Sequence, residues 1–194
     1  MLLKNGEEDN MNTVQIDPRN HLLAFVHLKH YGQKRKYTGE DYVNHLKAVA
    51  KMVDGKCELG YEVGLCHDLL EDTDCTEEEL KNALMRFEYG SKDSIFIFEK
   101  VRDLTDRYVP ETCPTWNRTV RKKLEAERLW TISPEAQTVK YCDIINNSES
   151  ILQYDAGFAK IYIPEMQEVL KGMNKGHKGL YKKALKSVNL INTI

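Results

Sequence analysis

The chain has 194 residues, 41% of them hydrophobic and 30% charged, with a formal net charge of −2. That length suits one domain with a sizeable core, and a mean hydropathy of −0.55 is ordinary for a soluble chain. No apolar run approaches the roughly 20 residues that span a bilayer, and near-balanced charge gives no general attraction to nucleic acid.

The first fifteen residues, MLLKNGEEDNMNTVQ, hold no long apolar stretch of the secretory kind, so the expected location is the cytosol. Residues 1–15 are expected to be a flexible N-terminus, and 16–194 to form the domain. Five cysteines stand singly at 57, 66, 75, 113 and 142. With no CxxC among them, neither a disulfide framework nor a thiolate zinc site is expected.

The periodicity predicts an all-α, single-domain bundle of about nine helices. A first helix follows Pro18 and carries Leu22, Leu23, Phe25, Val26 and Leu28. A Gly/Lys-rich loop, HYGQKRKYTGED, leads to a second helix over 40–53. A third over 59–70 is followed by DTDCTEEEL, where Thr76 and Glu79 fit a capping box that opens a fourth. SIFIF at 94–98 would suit a strand alone, but its flanks predict a helix over 92–106. After the proline-containing loop VPETCPTWN comes a sixth helix over 117–131. Ser133 as cap and Pro134 at the first helical position open a seventh. Two more fill 158–172 and 178–191. The last acid is Glu168, and six lysines follow it (171, 175, 178, 182, 183, 186) with His177. The plain reading is a solvated helix face; a positive surface near a phosphorylated ligand or nucleic acid is the alternative.

The chemistry concentrates in GLCHDLLEDT, residues 64–73. Placed on a helix, His67 and Glu71 share one face, and Asp68 and Asp72 share the next ridge. Carboxylates so crowded resist ionising together, and a divalent cation would relieve the repulsion. An exposed acidic helix end is the bland alternative. Two residues elsewhere favour the site. His45 lies mid-helix in DYVNHLKAVA, and Asp143 lies between Val139, Tyr141, Ile144 and Ile145. An aspartate in that setting is costly unless it is paired or metal-bound. Imidazole beside oxygen ligands suits Mn²⁺, Fe²⁺, Co²⁺ or Zn²⁺. Lys140, three residues before Asp143, could balance phosphate charge. Arg118, Arg121, Lys122 and Lys123 are further phosphate candidates, with a solvated face as the alternative.

This H…HD…D series on helices resembles the signature of the HD-domain metal-dependent phosphohydrolases. HDLLEDT is similar to the HDxxEDT motif of RelA/SpoT-type (p)ppGpp hydrolases and their small stand-alone relatives. KRKYTGEDYVNH resembles their RK-x-GE-x-Y-x-x-H segment, with Arg35, Lys36, Gly39, Glu40, Tyr42 and His45 in matching places. VKYCDIINN resembles their VKLADxxxN, with Lys140, Asp143 and Asn147. Asp41 stands where that group usually has proline, leucine follows His45 instead of proline, and Cys142 replaces a small aliphatic residue. The resemblance implies one metal, most often Mn²⁺, held by His45, His67, Asp68 and Asp143. It implies that Glu71 and Asp72 manage a nucleophilic water and its proton. Arg35 and Lys36 would meet the base or phosphates, and Asn147 the ribose.

The expected activity is therefore removal of the 3′-pyrophosphate of (p)ppGpp. The same chemistry on NADPH or a nucleoside monophosphate is an alternative, as is a non-catalytic, metal-stabilised nucleotide sensor. The expected partner is a small nucleotide. Neither a membrane nor a strong nucleic-acid signal is read, and oligomeric state is left open.

Overall fold

The computed structural model describes residues 17–189. The N-terminal stretch expected to be flexible, and the last residues of the final predicted helix, lie outside them. Among the described residues there are ten helical segments and no strand; Lys34 and Asp41 form one isolated β-bridge.

The segments are α1 Pro18–Lys29, α2 Val43–Val53, α3 Gly60–Cys66, α4 Leu69–Asp72, α5 Glu77–Arg86, α6 Ser91–Leu104, α7 Arg118–Leu129, α8 Pro134–Tyr154, α9 Ala156–Gly172 and α10 Lys178–Asn189. Five of the ten starts coincide with side-chain caps. Asp17 accepts from the Arg19 N–H, Asn117 from Val120, Ser133 from Ala136 and Asp155 from Phe158. Each satisfies one of the backbone donors that a helix N-terminus leaves free. Thr76 accepts from the Glu79 N–H, but the reciprocal half of the expected capping box is replaced. Glu79 instead reaches Lys29 on α1, at 2.8 Å. SIFIF is helical within α6, and only part of it, Ser94, Ile97 and Phe98, is buried.

Two boundaries differ from the sequence reading. The second helix begins at Val43 rather than at Glu40, because Lys34–Asp41 is tied back as a turn. Arg35 N–H donates to the Glu40 carbonyl at 2.9 Å, and Tyr42 N–H to the Gln33 carbonyl at 3.0 Å. The predicted third helix is broken in two at His67–Asp68. Asp68 has φ −98° and ψ 1°, and its carbonyl starts the short α4 by accepting from the Asp72 N–H at 2.8 Å. That break accounts for ten segments where about nine were expected.

The long α8 is the core of the bundle. Eleven of its residues are buried, Tyr141 and Ile144 completely, and it packs against α2, α3, α6, α9 and α10. Helices α2 and α3 meet closely at Gly64. A Cβ there would lie 2.9 Å from the Ala50 Cα and 2.9 Å from the Val53 Cγ1. Backbone cannot yield as a flexible side chain can, so only glycine allows this approach. The packing of α2, α3 and α8 brings His45, His67 and Asp143, nearly a hundred positions apart along the chain, to one buried point. The six lysines after Glu168 are all exposed.

Candidate metal centre and its cleft

Four ligand-type atoms converge where α2, α8 and the α3–α4 break meet. His45 Nε2 lies 3.3 Å from Asp143 Oδ1 and 3.6 Å from Asp68 Oδ2. His67 Nε2 lies 3.1 Å from Asp68 Oδ2 and 3.6 Å from Asp143 Oδ1. The ligand atoms of His45, His67 and Asp143 all fall within 4.8 Å of one another. His45 and His67 are each 2% exposed and Asp143 is 5% exposed, so the cluster is not a surface accident.

Both rings are oriented from behind. His67 Nδ1 sits 2.8 Å from the Gly64 carbonyl, and His45 Nδ1 sits 2.7 Å from Asn146 Oδ1. A carbonyl or amide oxygen can only accept, so each Nδ1 carries a proton and Nε2 is the nitrogen that would offer a lone pair to an ion at the centre. Both Nε2 atoms are buried without a hydrogen bond of acceptable geometry. Two orphaned imidazole nitrogens aimed at two carboxylates fit a divalent cation.

The electrostatics agree with that donor set. Burial alone would depress the two histidines, but Asp143 and Asp68 outweigh it and raise both. Burial alone would raise Asp68 and Asp143. His67 and His45 overcome it at Asp68; Lys140 leads the effect at Asp143, and both fall below the usual carboxylate range. Lys140 Nζ is 2.9 Å from Asp143 Oδ2. It is thus engaged with the centre rather than waiting free for phosphate.

A cleft opens beside the centre, lined among others by Tyr42, Glu71, Asp72, Asp106, Lys122 and Lys140. The break after His67 turns Glu71 and Asp72 in different directions from those of a continuous helix. Glu71 Oε2 accepts from the Asp106 N–H at 3.1 Å. Solvent reaches Glu71 along the cleft, but protein crowds its carboxyl. That crowding first, and the Asp106 charge second, raise it to about 7. Asp72 is also raised, by burial and then by Asp68, against the opposing Tyr42 hydrogen bond. The Tyr42 hydroxyl lies 2.7 Å from Asp68 Oδ2 and 2.9 Å from Asp72 Oδ2. Its one proton serves one carboxylate at a time, so it links the centre to Asp72.

The remaining predicted residues line a second, adjoining cleft that shares Tyr42, Lys122, Asn147 and Tyr162 with the first. Arg35 is not a free arm. It donates to Asn146 Oδ1, to Asn147 Oδ1 at 3.1 Å and to Ser150 Oγ at 3.2 Å. Asn147 Nδ2 donates in turn to Asp143 Oδ1 at 2.6 Å. Lys36 is exposed at the rim, 5.0 Å above the Tyr37 ring and 5.7 Å from that of Phe158. Of the α7 cations, Lys122 faces the cleft and pairs with Asp106 at 2.8 Å. Arg118 pairs with Glu165 at 2.7 Å, Arg121 donates to the Trp116 carbonyl, and Lys123 is exposed.

Three residues of the site had no role in the sequence reading. Tyr42 belongs to a matching motif but was given no task. Asn146, three residues after Asp143 on α8, had a legible signal: an i+3 neighbour shares that face. Asp106 had none, because it comes from a loop that only tertiary packing brings to Glu71.

With 20% identity, the chain superposes with a TM-score of 0.75 on the solved structure of a metazoan ortholog of SpoT that hydrolyses ppGpp and plays a role in starvation responses. The match covers 92% of this chain and 98% of that one. The chain has the all-α fold of the HD type. No family model matches it. It is 30% identical over 128 residues to the human guanosine-3′,5′-bis(diphosphate) 3′-pyrophosphohydrolase MESH1. That match covers 63% of this chain and 63% of the human protein, just under two thirds of the relative's length. No helix among the described residues is long and apolar enough to cross a membrane.

Proposed function

We propose that this chain is a metal-dependent phosphohydrolase that removes the 3′-pyrophosphate of (p)ppGpp. The observation that carries the reading is the convergence of two tautomer-fixed imidazole nitrogens and two carboxylates on one point, with Glu71 beside it. Similarity to the human pyrophosphohydrolase supports the substrate class.

His45, His67, Asp68 and Asp143 would hold the ion, with Mn²⁺ the first expectation. When bound, a divalent ion supplies Lewis acidity toward a phosphoryl oxygen and makes water more acidic near neutral pH. The protein's share of the work falls to named groups. Glu71, raised to about 7, is suited to take a proton from water and return it. Asp72 and Tyr42 form a relay at the side of Asp68. Lys122, which lines both clefts, can exchange Asp106 for a phosphate oxygen. Lys36, the aromatic rings of Tyr37 and Phe158, and Asn147 border the space left for a nucleoside.

The test is turnover of ppGpp by the purified full chain with Mn²⁺, followed as GDP and pyrophosphate. A rate above that of the His67→Ala/Asp68→Ala variant is expected. Release of phosphate only from NADPH or nucleoside monophosphates would keep the chemistry and replace the substrate. Tight nucleotide binding without turnover under every divalent metal would replace the enzyme with a sensor.

A further inference from the structure

Glu71 is held at its far oxygen by a backbone amide, and that amide belongs to a segment with no helical structure of its own. Residues 105–117 connect α6 to α7. A loop that supplies a catalytic contact needs an anchor, and a buried one lies immediately behind it.

Glu125, on α7, is 2% exposed. Its Oε2 accepts from the Arg107 N–H at 3.0 Å and from the Tyr108 N–H at 3.2 Å. Its Oε1 accepts from Arg128 Nε at 2.7 Å. Arg128 then donates to the Asp103 carbonyl at 2.8 Å and to the Thr105 carbonyl at 3.2 Å. Five hydrogen bonds are thus closed into one partly buried buckle. Every oxygen and guanidinium nitrogen it uses points at chain positions 103 to 108 or at the buckle's own partner. Asp106 sits in the middle of the clasped segment. It turns its N–H to Glu71 and its carboxylate to Lys122, at 3.1 and 2.8 Å.

We infer that Glu125 is a positioning residue: through Arg107, Tyr108 and Arg128 it fixes the Asp106 amide against which Glu71 is aimed. This rests on the hydrolase reading above. Burying a carboxylate and a guanidinium is expensive unless every polar atom is satisfied, and here the satisfied atoms are those of the loop. An apolar residue at 125 would serve the core as well but would leave the Arg107 and Tyr108 amides without partners. The hydrogen bonds have a direction that a glutamine cannot copy. One oxygen takes two N–H groups and the other takes the guanidinium, so all partners are donors. An amide nitrogen placed on either side meets a donor.

Glu125→Gln, which is isosteric, is the first variant; Arg128→Lys, which lacks the planar fork, is the second should the first not fold. Two readouts separate positioning from simple structural support. Turnover of ppGpp by the Mn²⁺-loaded full chain should fall about ten-fold in kcat with KM changed less than about two-fold, as expected for a misplaced catalytic group. In a Glu71→Ala background, single-turnover rates should not fall further when Glu125→Gln is added, because the two act in series. An equal loss in both backgrounds would overturn the inference, as would an unchanged kcat.

Amide hydrogen exchange reads the same buckle without any substrate. Glu125→Gln should speed exchange at Asp106, Arg107 and Tyr108, whereas Glu71→Ala should speed it at Asp106 alone. Slow exchange at Asp106 in Glu125→Gln would overturn the inference. Should the wild-type chain turn over no nucleotide, the hydrolase reading fails, and the exchange pattern still decides whether Glu125 holds the Asp106 amide.

Discussion

Asn146 offers the sharpest test of how the centre is built. Its Oδ1 receives two donors at once, the His45 Nδ1–H at 2.7 Å and an Arg35 guanidinium N–H. Asn146→Ala removes both acceptor contacts and leaves a buried imidazole N–H without a partner. Such an orphan costs about 1–3 kcal/mol. The ring, no longer held by its rear nitrogen, can also turn its Nε2 away from the centre. Loss of a comparable rear partner weakens metal binding about 10- to 100-fold, or about 1.4–2.8 kcal/mol at 25 °C. Mn²⁺ affinity should therefore fall by that factor in Asn146→Ala, measured by competition with a fluorescent chelator. Asn146→Asp keeps an acceptor for both donors and should recover most of the loss. Arg35→Ala, which leaves the His45 contact in place, should weaken metal binding far less than Asn146→Ala does. Affinity in Asn146→Ala within about two-fold of wild type would refute the reasoning, since it would mean that His45 needs no orientation from behind.

Three further outcomes follow from the same geometry. Gly64→Ala forces a methyl group against α2 backbone at 2.9 Å. It should destabilise the fold by about 1–3 kcal/mol, read as a lower midpoint in urea or heat. Turnover should rise with pH through about 7 as Glu71 loses its proton. Asp106→Asn removes a charge that raises Glu71, so it should move that midpoint down, and a pH–rate profile of both proteins checks the sign. Binding of Mn²⁺ should release protons at pH 7. In the metal-free protein Asp143 and Asp68 raise the two centre histidines, and a ligating histidine must be neutral at the bound nitrogen. Calorimetry in two buffers of different ionisation enthalpy would detect the release, and affinity should climb as pH rises.

The order of helices was legible because each signal is local. Asp17, Thr76, Asn117 and Ser133 cap helices by contacts within three residues, and apolar periodicity marks the rest. The cluster of His45, His67, Asp68 and Asp143 was legible for a different reason. Buried charge is costly, so His45 on an amphipathic helix and Asp143 among isoleucines each call for a partner. What could not be read was geometry that depends on distant packing. The resemblance gave Arg35 to the base or phosphates without showing that Asn146, Asn147 and Ser150, more than a hundred positions on, hold its guanidinium.

The most consequential departure is the break between α3 and α4. On one continuous helix, His67 and Glu71 would share a face, and Glu71 would point at the same centre as the histidine. At Asp68 the backbone instead leaves helical geometry, with ψ near 1°, and restarts on the Asp68 carbonyl. The consequence is a division of labour over six residues. His67 and Asp68 turn inward to the buried centre, while Glu71 is delivered to the cleft wall, where a loop amide meets it. Nothing in HDLLED announces the break: it contains no glycine or proline, and its leucines favour a helix. The break is stable because the tertiary structure supplies what the helix gave up. Asp68 is held by Tyr42 and faces two histidines, and Leu69 is fully buried. In the proposed hydrolase, an acid that works on water next to the ion would have to stand beside the ligands without becoming one. On that proposal, the break at Asp68 is the backbone device that keeps Glu71 in that position.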